Sequence, residues 1–183
     1  MEMTIRNTVE DWLEFNRYHY RNSKALLKQR IFIRLLGPIL FAIFIVLHSY
    51  YKGYDTKLTI GFAVLSVLWI IFYPKRAEAH HLNSVKEMLL EGKNRELNTD
   101  IFIKLTDKDM VVKSESICTS VRWSSVEKII MHDDYLFVYI SAVPAQVIPK
   151  RYFKDDKEFL ELYKLLLRYK EHDLSTAKLE SRP

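Results

Sequence analysis

The chain has 183 residues, with 28 Lys and Arg against 23 Asp and Glu, a net charge of +5 at pH 7. That length allows one folded domain beside any membrane segment, or two small ones. A single cysteine, Cys118, excludes an internal disulfide and fits a reducing compartment, and four glycines leave no glycine-rich loop for a phosphate.

Residues 1–7, MEMTIRN, are polar and tolerate a strand. Thr8 and Asp11 have the spacing of a capping box, in which hydroxyl and carboxylate satisfy free amides at a helix start. Trp12, Phe15, His19 and Leu26 recur at helical spacing. One helix is therefore expected from about Val9 into the apolar run that follows, kinked or interrupted at Gly37-Pro38.

That run, residues 31–51 (IFIRLLGPILFAIFIVLHSYY), carries one charge, Arg34; residues 58–73 (LTIGFAVLSVLWIIFY) carry none. At a helical rise of ~1.5 Å per residue they reach about 31 Å and about 24 Å, against a hydrocarbon core of roughly 30 Å. Tyr73 and the stems of Lys57 and Lys75 lengthen the shorter run. A soluble helix keeps a polar face, and residues 61–73 have only Ser66 as a polar break. The reading is a transmembrane hairpin, residues 31–51 and 58–74, reversed at KGYDTK. The run begins 30 residues into the chain, past an ordinary n-region, which argues for a retained span over a cleaved leader.

Arg21, Lys24, Lys28, Arg30 and Arg34 precede the first span with no acid among them, and Lys75 and Arg76 follow the second. Only Lys52 and Lys57, beside Asp55, flank the turn. Lys and Arg gather on the cytoplasmic side of spans, so both termini are expected there. Arg34, one turn inside, should snorkel to the surface. The same cations would attract anionic headgroups. No basic-aromatic motif of a nucleic-acid reader occurs, and no nucleic-acid partner is expected.

Residues 74–91 are good helix formers ending before Gly92, which reads as a C-cap; residues 75–97 form a connecting helix. From Asn98 the period becomes two. Ile101, Ile103 and Leu105 alternate with Phe102 and Lys104, and short strands follow around residues 110–113, 117–123, 126–132, 135–140 and 145–148. Six short strands with tight polar turns predict an antiparallel meander. One helix closes it: Asp155 and Glu158 form its cap, and Phe159, Leu162, Tyr163, Leu166 and Tyr169 form its apolar stripe. Residues 172–183 are expected to be a mobile tail.

This plan is that of a pleckstrin-homology-like (PH-like) domain, and the chain resembles the YcxB-like membrane proteins of bacteria. Thr8-Val9-Glu10-Asp11-Trp12, Val121-Arg122-Trp123-Ser124-Ser125-Val126 with the following Asp134-Tyr135-Leu136, and Val147-Ile148-Pro149-Lys150-Arg151-Tyr152-Phe153 carry the resemblance. It implies a multi-pass protein of the bacterial cell membrane with a cytoplasmic PH-like domain. It offers no activity, substrate or catalytic residue to transfer.

Few residues suggest chemistry. His80 and His81 point about 100° apart on a helix and cannot chelate one ion well. Cys118 with His132 as base would make a nucleophile, but Cys118 reads as an ordinary strand residue and His132 as the start of a charged turn. Trp123 reads as core ahead of ligand stacking, joined there by Phe137 and Phe159. Lys150 and Arg151 follow the strand-ending Pro149 and should point to water as headgroup candidates.

The fold expected is thus α+β: a two-helix transmembrane hairpin, then a small antiparallel β-barrel or meander from 98 to 171 capped by an amphipathic helix, after an N-terminal strand and helix in residues 1–30. The function expected is a non-enzymatic binding or scaffold module with no cofactor and no metal. It would sit in the lipid bilayer and engage anionic headgroups or a membrane protein, and a homo-oligomer is compatible. The alternative is an accessory subunit of a larger membrane assembly, in transport or envelope stress response.

Overall fold

The computed structural model describes residues 1–91, 97, 99–140 and 145–180. Contacts divide the chain into two compact units, Met1–Phe15 with Leu89–Pro183, and Asn16–Met88.

Among its described residues the first unit is built on seven strands. The six expected ones are β2 (Asp100–Leu105), β3 (Asp109–Lys113), β4 (Cys118–Arg122), β5 (Lys128–His132), β6 (Tyr135–Tyr139) and β7 (Ala145–Pro149). The seventh, β1 (Glu2–Arg6), comes from the chain's start and pairs antiparallel with β2, Met3 opposite Ile103. The sheets run β1-β2-β3-β4 and β5-β6-β7, every pairing antiparallel. They do not close into a barrel: among the described residues no ladder joins β4 to β5 or β1 to β7. A 3-10 turn at Trp123–Ser125 carries the chain from one sheet to the other.

Alternation decides what the sheets enclose. Ile5, Ile101, Ile103, Leu105, Met110 and Val121 from the first sheet meet Ile129, Leu136, Val138 and Ile148 from the second in one core. The helix α4 (Asp156–Glu180) adds Phe159, Leu162 and Leu166 to it. Its cap is as expected: Asp155 accepts from the amide of Glu158 at 2.8 Å, and Glu158 accepts from that of Lys154 at 2.8 Å.

β6 is buried on both faces, because the start of α1 (Val9–Asn22) covers the face away from this core. There Phe15 meets Phe137 and Tyr139 at ring distances of 5.4 and 5.5 Å. The Thr8–Asp11 box forms: the Thr8 amide donates to Asp11 at 2.7 Å and the Asp11 amide to the Thr8 hydroxyl at 3.4 Å.

Residues 172–180, expected as tail, continue α4 instead. The reason lies in the second half of the helix, where Tyr169 packs on Trp123 at 5.6 Å, Lys170 donates to the Glu127 carbonyl and Asp173 accepts from the Ser124 amide. These contacts hold the helix as far as Asp173, and α4 runs on from there to Glu180. The C-cap expected at Gly92 lies outside the described residues.

In the second unit α2 (Lys24–Lys52) and α3 (Thr56–Glu91) are long and apolar enough to cross a membrane; in their most apolar stretches 6% and none of the residues are buried. Buried helices of a soluble core would show the opposite. The helices run antiparallel, with Phe41 and Phe44 on Phe62 at 5.4 and 5.0 Å and Gly37 against Trp69. Gly53, at φ 87, turns the chain, and the Asp55 carboxylate caps α3 through the amides of Lys57 and Leu58.

The interruption expected at Gly37-Pro38 lies instead at Ser23, whose extended backbone (φ −70, ψ 122) separates α1 from α2. The Ser23 amide closes α1 onto His19 at 2.9 Å and its carbonyl opens α2 to Leu27 at 2.9 Å. Pro38 removes one helical bond without ending the helix.

Candidate functional site

One polar network of the first unit joins segments 140 residues apart. Beyond Pro149 a 3-10 turn, Lys150–Tyr152, swings Arg151 toward the start of α1. Its guanidinium donates to both Asp11 oxygens at 2.6 Å, and Nη2 also donates to the Arg6 carbonyl at 2.8 Å. The Asp11 side chain is 1% exposed, so a charge is buried and matched by a planar fork. The Tyr152 hydroxyl completes the clasp, accepting from the Arg6 amide and donating to its carbonyl, both at 2.9 Å.

Burial pushes the Asp11 carboxyl up, but the hydrogen bonds from Arg151 and Thr8 and the charge of Arg151 outweigh it; the net shift is downward. The bond to Asp11 raises Arg151 in turn, against its own burial. Tyr135 lies close by. Burial and then the Asp11 charge push its phenol up to about 12, so it stays protonated and a donor.

Beside this network an open groove of about 440 Å³ runs between the β6 and β7 ends and the start of α4. Lys150, Arg151 and Lys154 line it, and so do Asp134, Asp155 and Asp156. Among the described residues three cations face three carboxylates, and Arg151 is already matched by Asp11, so the groove carries no positive excess. Lys150 lies 3.3 Å from Asp134 and 2.8 Å from Asp156, and these bonds raise its pKa. Lys150 and Arg151, expected to reach into water, are therefore held by acids. Nothing in their spacing showed this, since the acids arrive from α1, the β5–β6 turn and α4.

The cations of the second unit differ in their engagement. Arg21 pairs with Glu78 at 2.7 Å, Arg30 lies over the Tyr20 ring at 4.7 Å, and Arg34 donates to the Ile70 carbonyl at 3.0 Å. Lys24, Lys28, Lys75 and Arg76 are exposed. The expected core residues Trp123, Phe137 and Phe159 are 0, 0 and 3% exposed, and the Trp123 indole donates to the Thr106 carbonyl at 2.9 Å.

Cys118 is exposed on the edge strand of the first sheet, whereas His132 ends β5 in the second. His81 stacks on Tyr20 at 4.7 Å while His80 is exposed. Among the described residues one mixed group has metal-ligand chemistry: atoms of Glu14, His132 and Asp133 lie within 4.8 Å of one another. His132 and Asp133 already pair at 3.4 Å, and Asp133 is 76% exposed, so a solvated charged turn accounts for them.

Residues 105–166 match the model of the YcxB-like protein family. The YcxB-like segment runs from the end of β2 to Leu166 in α4, roughly a third of the chain, and holds the whole groove and Arg151. Asp11 lies outside it. No curated protein and no solved structure matches the chain.

Proposed function

We propose that this chain is a membrane-anchored, non-enzymatic binding module: α2 and α3 cross a bacterial membrane, both termini lie in the cytoplasm, and the strand unit is a PH-like domain that engages a protein. The anchor is supported by two apolar helices with almost nothing buried along them. The PH-like reading rests on four- and three-stranded antiparallel sheets closed by a C-terminal helix. The distribution of Lys and Arg supports the orientation.

The observation that favours a protein over a lipid headgroup is the balance of charge in the groove. An anionic surface is drawn by an unbalanced positive field, and here the three cations of the groove face three carboxylates while Asp11 already matches Arg151, so no positive excess is left among the described residues. A polypeptide offering both signs can exchange partners with Lys150, Lys154, Asp155 and Asp156 at little electrostatic cost.

A photo-crosslinking residue at the exposed Lys154, in the full chain in its native membrane, tests this. A discrete protein adduct, lost when Asp155 and Asp156 are both changed to Lys, is expected. Adducts to lipid alone would replace this reading with the headgroup one. Discrete adducts only from a probe at Val64, exposed on α3, would favour the accessory subunit acting through its hairpin.

A further inference from the structure

An α-helix closes each carbonyl with the amide four residues on, and a proline takes that donor away. In α3, Pro74 deprives the carbonyl of Ile70 of its partner. That same carbonyl accepts a hydrogen bond from Nε of Arg34, on the facing helix, at 3.0 Å. Arg34 is the one charge within residues 31–51. We infer that Arg34 is a latch on a proline hinge: its guanidinium stands in for the amide that Pro74 lacks, and in doing so it fixes α2 against α3 at the place where α3 can bend.

Each partner supplies what the other needs. In an apolar surrounding an unpaired carbonyl is costly, and broken helices are tolerated where a neighbour satisfies the freed group. An arginine in the same surrounding is equally costly and pairs with backbone carbonyls for that reason. A second contact adjoins the first. Trp69 precedes Ile70 and packs on Gly37, one turn along α2 from Arg34, so closely that a Cβ there would lie 2.7 Å from the indole. The two contacts set the register of the helices.

Beyond the hinge, α3 is held separately, by Glu78 on Arg21 at 2.7 Å and His81 on Tyr20 at 4.7 Å. The latch thus governs the angle between two parts of α3, each with its own attachment. Its alternative partner is a headgroup phosphate at the membrane surface, within reach of so long a side chain. A latched and a released state follow, and they differ in how freely α3 bends at Pro74. The inference rests on the reading that α2 and α3 cross a membrane, and on neither the protein nor the headgroup reading of the groove.

The test is the coupling between Arg34 and Pro74. Spin labels on cysteines at Leu40 and Met88, both exposed, would report the bend by pulsed electron paramagnetic resonance in the full chain in bicelles, with Cys118→Ser. The parent should give one narrow distance distribution, and Arg34→Ala should broaden it at least twofold. Pro74→Ala restores the missing amide, so Arg34→Ala/Pro74→Ala should be narrow again. Should Arg34→Ala not be recovered from membranes, recovery of the double variant is the same rescue, read as yield. An unchanged width in Arg34→Ala, or broadening or loss that Pro74→Ala leaves in place, would overturn the latch and return Arg34 to a plain snorkelling role.

Discussion

Replacing Arg151 by alanine strikes the clasp at its centre. The variant strips two 2.6 Å bonds from a carboxylate whose side chain is 1% exposed, and one bond from the Arg6 carbonyl. Breaking a buried ion pair costs about 3–5 kcal/mol. Arg151 is itself 43% exposed, so water screens the pair and reaches part of the vacated site. About 2 kcal/mol is the expected loss, or about 8–16 °C in Tm for a unit of roughly 100 residues. Near-ultraviolet circular dichroism of the full chain in micelles reads it at pH 7. The effect has a pH signature. Folding lowers the Asp11 pKa below its ordinary 3.8, so the stabilisation is complete above the unfolded value and fades as pH falls through the folded one. Parent and variant should converge in acid. A variant that melts like the parent at pH 7, or a gap that persists undiminished in acid, would refute the account.

Trp123→Ala should cost about 3–5 kcal/mol, because a fully buried ring and its bond to Thr106 go together; an unchanged melt would revive ligand stacking. Gly37→Ala should loosen the hairpin, since the new methyl meets the Trp69 indole, and Trp69→Leu should relieve it; a neutral Gly37→Ala in denaturation by sodium dodecyl sulfate would contradict the packing. Reporter fusions at Gly53 and at the C-terminus should place the turn outside and the terminus inside. An external C-terminus would sink the proposed orientation.

The features legible in the sequence were those written in neighbouring residues. Period-two alternation marked β2 to β7, and two box motifs marked the starts of α1 and α4, because alternation and capping act within a few positions. What escaped were contacts between distant segments. The unbroken burial of β6 needed Phe15 on its second face, and no pattern in Tyr135–Tyr139 says which residue comes from 120 positions earlier. The continuation of α4 as far as Asp173 is hidden for the same reason, since that residue is held by the Ser124 amide. Gly37-Pro38 outweighs Ser23 as a sequence signal because proline is the stronger local one. A proline inside an apolar helix is tolerated once a neighbour packs against it.

Charge shows the limit most clearly, and it carries a prediction of its own. Counted along the chain, nine cations suit an anionic surface: Arg21, Lys24, Lys28, Arg30, Arg34, Lys75, Arg76, Lys150 and Arg151. Lys150 and Arg151 are committed to acids, Arg21 to Glu78, Arg30 to an aromatic face and Arg34 to a carbonyl. Lys24, Lys28, Lys75 and Arg76 are left, exposed and without an ion pair among the described residues. At about 1 kcal/mol each near an anionic surface they supply about 4 kcal/mol, and salt screens this within roughly 10 Å. Sensitivity to lipid charge should therefore reside in the hairpin's cations and not in the groove. With the full chain in nanodiscs, the salt-dependent gain in stability from anionic lipid should vanish when Lys24, Lys28, Lys75 and Arg76 become Gln. Lys150→Gln should leave it intact. Were the Lys150 change to abolish the gain, the groove would be reading lipid after all, and the protein-partner proposal would fall.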